Sequence, residues 1–208
     1  MQKERVSDNV YWFQSEVYAQ VTAGVIIGPQ WAILIDTLMP EETPEIRSFI
    51  EDELMVPVRY IINTHHHADH CWGNCLFPTA TVIGHELCRE LMLSRSQSAL
   101  AEAGKENPLF RSLCIKEPQI TIAQGSLFIR IGKKHIKVFS TPGHSDDCVS
   151  VLIEDDRILF SGDAYMPVPY FVGGDIDVLT STITEIGDMG LENIIQGHGD
   201  VVLRGEID

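Results

Sequence analysis

A chain that sets four histidines and an aspartate within the six residues His65-His66-His67-Ala68-Asp69-His70 has few ways to fold around them. Imidazole and carboxylate groups are costly to bury without partners, and the partner that suits both is a divalent cation such as zinc. The cluster follows Val58-Arg-Tyr-Ile-Ile-Asn63, a β-rich run, so it is expected in a loop at a strand end.

The rest of the chain supplies strands in two groups. Residues 9–36 read as short strands around a Gly28-Pro29-Gln30 turn, the last ending at Asp36. Helical spacing follows, with Ile46, Phe49, Ile50 and Leu54 on one face, Glu42 or Thr43 near the N-cap, and Pro57 as the stop. A short strand is expected over residues 80–84, a helix from 86 to about 103, and a loop over 104–108. Residues 86–118 are the least patterned part and fit an active-site cover or a plain surface insertion equally. From Gln119 onward, runs at 120–122, 127–131, 135–139, 148–153 and 158–160 alternate with hairpin signals. Helical spacing returns over 176–189, and 193–196 is expected to be the last strand. This order predicts two packed sheets with helices outside, and 208 residues suit one domain.

Composition narrows the function classes. Lys+Arg 15 against Asp+Glu 30 gives a formal charge of −15, which opposes a nucleic-acid partner and otherwise confers solubility. Five cysteines form no CxxC pair, which argues against a cysteine-rich zinc site and fits reduced thiols. No stretch reaches the roughly 18 apolar residues of a membrane span, and no signal-like segment opens the chain. The expectation is a cytoplasmic protein acting on a small molecule, with its oligomeric state open, a homodimer included.

Three later loops each carry one ligand-type residue beside glycine after a β-rich run: Thr141-Pro-Gly-His144, Ser161-Gly-Asp163 and Gln196-Gly-His198-Gly. Glycine lets the backbone turn tightly or approach a site closely. Singly, each residue reads as structural. Together they place metal-binding side chains at several strand ends, where loops from one sheet edge can converge.

This pattern, His65-x-His67-x-Asp69-His70 followed by Gly-His144, Gly-Asp163 and Gly-His198-Gly, resembles the metallo-β-lactamase superfamily from about Asn9 to Gly199. The resemblance implies an α/β fold, the four-layer αββα sandwich, over a single domain of residues 1–208 that lacks the C-terminal helix with which relatives usually continue. It implies two Zn2+ per chain, with iron or manganese as alternatives. His65, His67 and His144 would bind the first metal, Asp69, His70 and His198 the second, and Asp163 would bridge them. Extended backbone agrees, because residues i and i+2 point the same way and His65 and His67 can share one ion. Asp69 and His70 come where the chain begins to turn and can face another. His66, between two ligands, then faces away. Asp36 would sit behind the ligands and hold a loop or an imidazole in place.

The family includes several chemistries. The intact Asp69-His70 pair and Thr64-His-His-His-Ala-Asp-His-x-x-Gly-Asn resemble glyoxalase II and its small relatives, without the helical domain that contacts glutathione in the larger enzymes. The resemblance implies a hydroxide formed between two metals that cleaves a small ester, thioester or lactone, with Asp69 orienting it. Tyr165 is either an oxyanion donor or a wall residue. Persulfide dioxygenases share Asn63–His70 but use one iron, and their glycine-arginine-threonine-aspartate segment is replaced here by Tyr170-Phe-Val-Gly-Gly-Asp175. β-Lactamase-like and phosphodiesterase members are further alternatives. His85 and His135 read as loop or surface histidines, Cys71 as a packed small residue, and Trp72, Tyr170 and Phe171 as core or pocket.

Overall fold

Alternation along the strands decides the architecture. In β4 (Ala32–Ile35), Ile33 and Ile35 turn to one face and Leu34 to the other, each fully buried. In β11 (Ile158–Gly162), Ile158 and Phe160 face one way and Leu159 the other. Strands apolar on both faces must be covered on both. The result is two sheets packed face to face with helices on the outer sides, four layers in all, as the sequence led us to expect.

The computed structural model describes residues 1–171 and 173–207. Val172, inside the Tyr170–Asp175 segment, and Asp208 lie outside the described residues. The first sheet runs in chain order: β1 (Gln2–Ser7), β2 (Val10–Gln14), β3 (Thr22–Ile27), β4, β5 (Val58–Ile62), β6 (Thr81–His85) and β7 (Ile120–Ile122). Its first four strands are antiparallel, and β4 to β7 pair in parallel. The second sheet runs β13 (Val202–Leu203), β12 (Asn193–Gln196), β11, β10 (Val149–Ile153), β9 (Lys134–Ser140), β8 (Ser126–Ile131). Only β11 and β12 pair in parallel there.

Between the sheets lie Ile33, Ile35, Ile62 and Ile83 from one side and Val138, Val151, Phe160 and Ile195 from the other. Burying each stabilises the fold by about 1.5–3 kcal/mol before entropy is counted. Outside the first sheet, α1 (Thr43–Ser48) and the wider turn after it bring Ile46, Phe49 and Ile50 onto Leu34, Ile61 and Val82. Outside the second, α5 (Ile176–Gly187) places Ile186 against Leu159 and Ile194.

Four local expectations change. Gly104 does not open a loop, because α4 (Gln97–Glu106) continues through it. Residues 86–112 are neither cover nor plain insertion. With α2 (Ala68–Cys71) and α3 (Glu86–Leu91), their Cys88, Met92, Leu100 and Phe110 form a small core around Cys71 and Trp72. The run at 120–122 joins β6 in parallel instead of forming a hairpin with β8. The strand at 193–196 is not the last, since β13 and a one-turn helix, α6 (Arg204–Ile207), follow. Glu42 does stand at the N-cap of α1, but its carboxylate accepts from Ser15 Oγ and Glu16 N instead of capping. Among the described residues no helix is long and apolar enough to cross a membrane.

Backbone hydrogen bonds join the two halves of the fold at one edge, Gly199 N to Gln20 O at 2.9 Å among them. Val149 N donates to Thr64 O at 2.8 Å, and Thr22 N donates to Gly197 O at 2.9 Å. The candidate site sits between these links.

Candidate metal centre

The strand β5 ends at Ile62, the chain bends over residues 64–66, and His67, with ψ 151, is the N-cap of α2. His65 and His67 converge through this bend and not along an extended strand, while Asp69 and His70 sit in the first turn of α2 and face a neighbouring point. The loops after β9, β11 and β12 bring in His144, Asp163 and His198. All seven expected side chains converge in two groups, His65–His67–His144–Asp163 and Asp69–His70–His198, with ligand-type atoms inside each group within 4.8 Å of one another.

His65 Nε2 and His144 Nε2 lie 2.9 and 3.1 Å from His67 Nδ1. Asp163 stands between the groups. Its Oδ2 is 3.6 Å from His65 Nε2 and 3.3 Å from His144 Nε2, whereas its Oδ1 is 3.2 Å from His70 Nε2 and 3.5 Å from His198 Nε2. Asp69 Oδ2 reaches His198 Nε2 at 3.5 Å. The approach of Asp163 depends on two glycines. Gly162 turns with φ 52, and a Cβ on Gly197 would collide with the Asp163 carboxylate.

The outward nitrogens fix the ring orientations. Asp36, itself at φ 54, accepts from Thr64 N at 2.8 Å, Thr64 Oγ1 at 2.7 Å and His70 Nδ1–H at 2.8 Å. Thr64 Oγ1, its own proton given to Asp36, accepts from His65 Nδ1–H at 3.1 Å. His144 Nδ1–H donates to Tyr170 O, and His198 Nδ1–H donates to Ala19 O at 2.8 Å. Each of these four rings thus turns its Nε2 to the centre, the orientation a metal needs.

Charge follows depth. Burial, then repulsion from His70, pushes His65 well below the ordinary histidine value. Burial, then the neighbouring His66 and His144, lowers His67 to about 4. Burial opposes the charge on His70 as well, but Asp163, Asp69 and Asp36 outweigh it and hold that imidazole well above its ordinary value. His198 is raised, against burial, by its contact with Asp163. Asp163 is held well below the carboxylate range, because His70 and His65 overcome its own burial.

The donor set fits a divalent cation in each group. Among the described residues only four buried side-chain polar atoms lack a hydrogen-bond partner, and two of them, His70 Nε2 and Asp163 Oδ1, face each other in the centre, whereas His67 turns Nδ1 and not its unpartnered Nε2 toward the group. Buried polar atoms without partners are rare and point to an ion or water.

The remaining candidates sort by contact. His66 turns away as expected: it is buried and donates through Nδ1 to Asp147 at 3.0 Å, while Ser145 Oγ donates to the same carboxylate at 2.7 Å. Asp147 escaped the sequence reading, and its place in Gly-His144-Ser-Asp-Asp147, three residues after a ligand, was the signal. Cys71 is packed, with Sγ donating to His66 O. His85 ends β6 and caps α3 by accepting from Leu87 N, and His135 pairs with Asp155 at the surface. Tyr165 packs against the Leu159–Ile194 cluster and lines an adjoining cavity of about 520 Å³, not the one over the histidines. That position favours the wall reading over the oxyanion donor. Tyr18, which carried no motif, lines the cavity over the centre with Tyr170, and the Asp69 charge raises its pKa. Its neighbours Ala19 and Gln20 both take positive φ, at 45 and 52, which aims Ala19 O at His198.

Residues 18–202 match the family model described as the metallo-beta-lactamase superfamily. Among curated proteins, the chain is 25% identical over 174 residues to a thioesterase, pkgB, of Emericella nidulans, covering 83% of this chain and 44% of that one. It is 31% identical over 170 residues to a hydroxyacylglutathione hydrolase of Francisella tularensis subsp. novicida, covering 82% and 56%. The chain spans about half the length of these relatives. Among solved structures, a metallo-beta-lactamase from Pontibacter korlensis superposes with a TM-score of 0.79 at 21% identity, over 99% of this chain and 94% of that one. A metallo-beta-lactamase family protein from Thermus thermophilus gives 0.75 at 22%, over 98% and 78%. With that fold, and with histidines and aspartates gathered at one edge of its two sheets, the chain belongs to the metallo-beta-lactamase superfamily.

Proposed function

We propose that this chain is a dinuclear zinc hydrolase, with iron or manganese as alternative metals, that cleaves a small ester, thioester or lactone. His65, His67 and His144 would hold one ion, Asp69, His70 and His198 the other, and Asp163 both. The observation that carries this reading is the split of Asp163, one oxygen toward each histidine group. Similarity to a thioesterase and to hydroxyacylglutathione hydrolases supports the class of bond.

Bound divalent ions would lower the pKa of a water toward neutrality and polarise the scissile carbonyl. The chain's residues do the rest. Asp69, half-buried at the cavity floor, can orient the attacking oxygen and take up its proton. Asp36, Thr64, Tyr170 O and Ala19 O hold the imidazoles so that no reorganisation is needed during reaction.

Metal analysis combined with a panel of thioester, lactone, β-lactam and phosphodiester substrates tests the reading. Two metals and turnover of thioesters or lactones are expected. One iron per chain, with oxygen consumption on a glutathione persulfide, would overturn it.

A further inference from the structure

We infer that the substrate is electrically neutral and apolar away from its scissile bond, an inference that takes the bond cleaved from the hydrolase reading but its selectivity from the cavity walls alone. A cavity of about 600 Å³ opens over His67, Asp69, His144, Asp163 and His198. Beyond these, its larger wall residues are Tyr18, Gln20, Met166, Pro167, Val168 and Tyr170. None is charged.

The chain's fifteen Lys and Arg are all among the described residues, and none lines the cavity. Their distribution explains why. The walls come from residues 18–20, 67–69, 144, 163–170 and 198–199, and no Lys or Arg occurs anywhere in 6–46, 60–88, 138–156 or 158–203. Arg157, nearest in sequence to Asp163, lies beyond the opposite end of β11 and pairs with Glu192. The two carboxylates on the floor, Asp69 and Asp163, already face the histidines.

A ligand entering with a carboxylate or phosphate at its far end would lose hydration there and find no cation in exchange. An apolar body meets the reverse. Tyr18, Val168 and Tyr170 leave 48%, 77% and 66% of their surface exposed, and all three meet at this one mouth. Exposed apolar residues are usually scattered singly, and convergence on a pocket marks a binding site. The tyrosine hydroxyls and the Gln20 amide add neutral hydrogen-bonding groups, which suit an amide or hydroxyl on the ligand. The carrier is therefore an uncharged thiol or alcohol. Glutathione, a nucleotide-bearing acyl carrier and a carboxylated lactam are all poor fits to these walls.

Two stable thioethers with the same apolar group test this by binding, without turnover: S-benzyl-N-acetylcysteamine, which is neutral, and S-benzylglutathione, which carries two carboxylates and an ammonium. Calorimetry on the zinc-loaded protein should give a dissociation constant at least about tenfold lower for the neutral compound. Val168→Arg should narrow that gap several-fold by improving the glutathione compound. Equal or tighter binding of S-benzylglutathione to the native chain, binding of neither compound, or an unchanged gap in Val168→Arg would overturn the inference. Acyl thioesters of the same two thiols are assayed separately. Selective binding with no hydrolysis of either would remove the hydrolase reading and leave the charge selectivity standing.

Discussion

The two histidine groups of the centre are built from the same residue types and behave differently. In the first, His65 and His144 are buried, and His65 and His67 are driven toward the neutral form. In the second, Asp69 and His198 are half-buried, and His70 and His198 are pulled toward the cationic form by Asp163 and its neighbours. Without metal, the protein thus offers bare lone pairs at His65 and His67 and protons that must leave at His70 and His198. The difference comes from where carboxylates fall. Asp36, Asp69 and Asp163 all act on His70, whereas Asp163 is the one carboxylate among the leading influences on His65 and His67.

Asp163→Ala strikes both groups and has the largest expected effect. On the proposed hydrolase reading, activity should fall by roughly 10³-fold or more, because several kcal/mol of transition-state stabilisation would depend on bound metals. Metal content should drop while the far-UV circular dichroism stays native. A fully metallated, active variant would remove the bridging role and with it the link between the groups.

Asp36→Ala should separate them. Losing the carboxylate behind a ligand typically weakens metal affinity by about 10–100-fold. The loss is expected at the second group, through His70, with the first group changed less, through Thr64. Equal losses at both groups in a zinc titration would contradict that division.

The pH dependence of metal uptake sharpens the contrast. Folded pKa values of His70 and His198 above 6.5 mean that affinity at the second group weakens as pH falls through those raised values. The first group should hold its metal further down, since His67 stays neutral until about 4. Stability of the metal-free fold follows the same signs. The His70 and His198 contributions are complete below 6.5 and vanish as pH rises through the folded values. Fluorescent zinc competition from neutral to acid pH would show two separated transitions.

Asp147→Asn should cost about 1–3 kcal/mol in chemical denaturation, because the buried donors His66 Nδ1 and Ser145 Oγ lose their charged acceptor. Its partners His66 and Ser145 hold Asp147 below the ordinary carboxylate value against its burial. The native chain's advantage is therefore present above that ordinary value and fades as pH falls through the depressed one. Ala19→Gly has the smallest expected effect, under about 1 kcal/mol in a thermal melt, since relief of left-handed backbone strain opposes the added unfolded-state entropy.

Most strands, though not β1 or β13, were legible from local signals, and the seven ligand-type residues from local signals together with the resemblance to the family. Period-two alternation marks β4 and β11, and a polar side chain beside glycine marks His144, Asp163 and His198. Asp36 was legible through resemblance to the family, and the structure supplies its physical role under His70 and Thr64. What escaped depends on distant parts of the chain. Asp147 matters only because His66 folds back 81 residues to meet it. Tyr18 and Ala19 reach the site because a bridge pairs Val21 with His198. The run at 120–122 pairs with β6 only after the chain has passed through the small core of Trp72 and Phe110, whose helical residues carried no clear period.

Zinc stoichiometry by elemental analysis after dialysis at two pH values tests the central claim, two unequal metal positions joined by Asp163, most directly. About two zinc per chain are expected at mildly alkaline pH and about one at mildly acidic pH, with the second restored on returning. A single equivalent that added zinc cannot raise, or two that leave together, would contradict it.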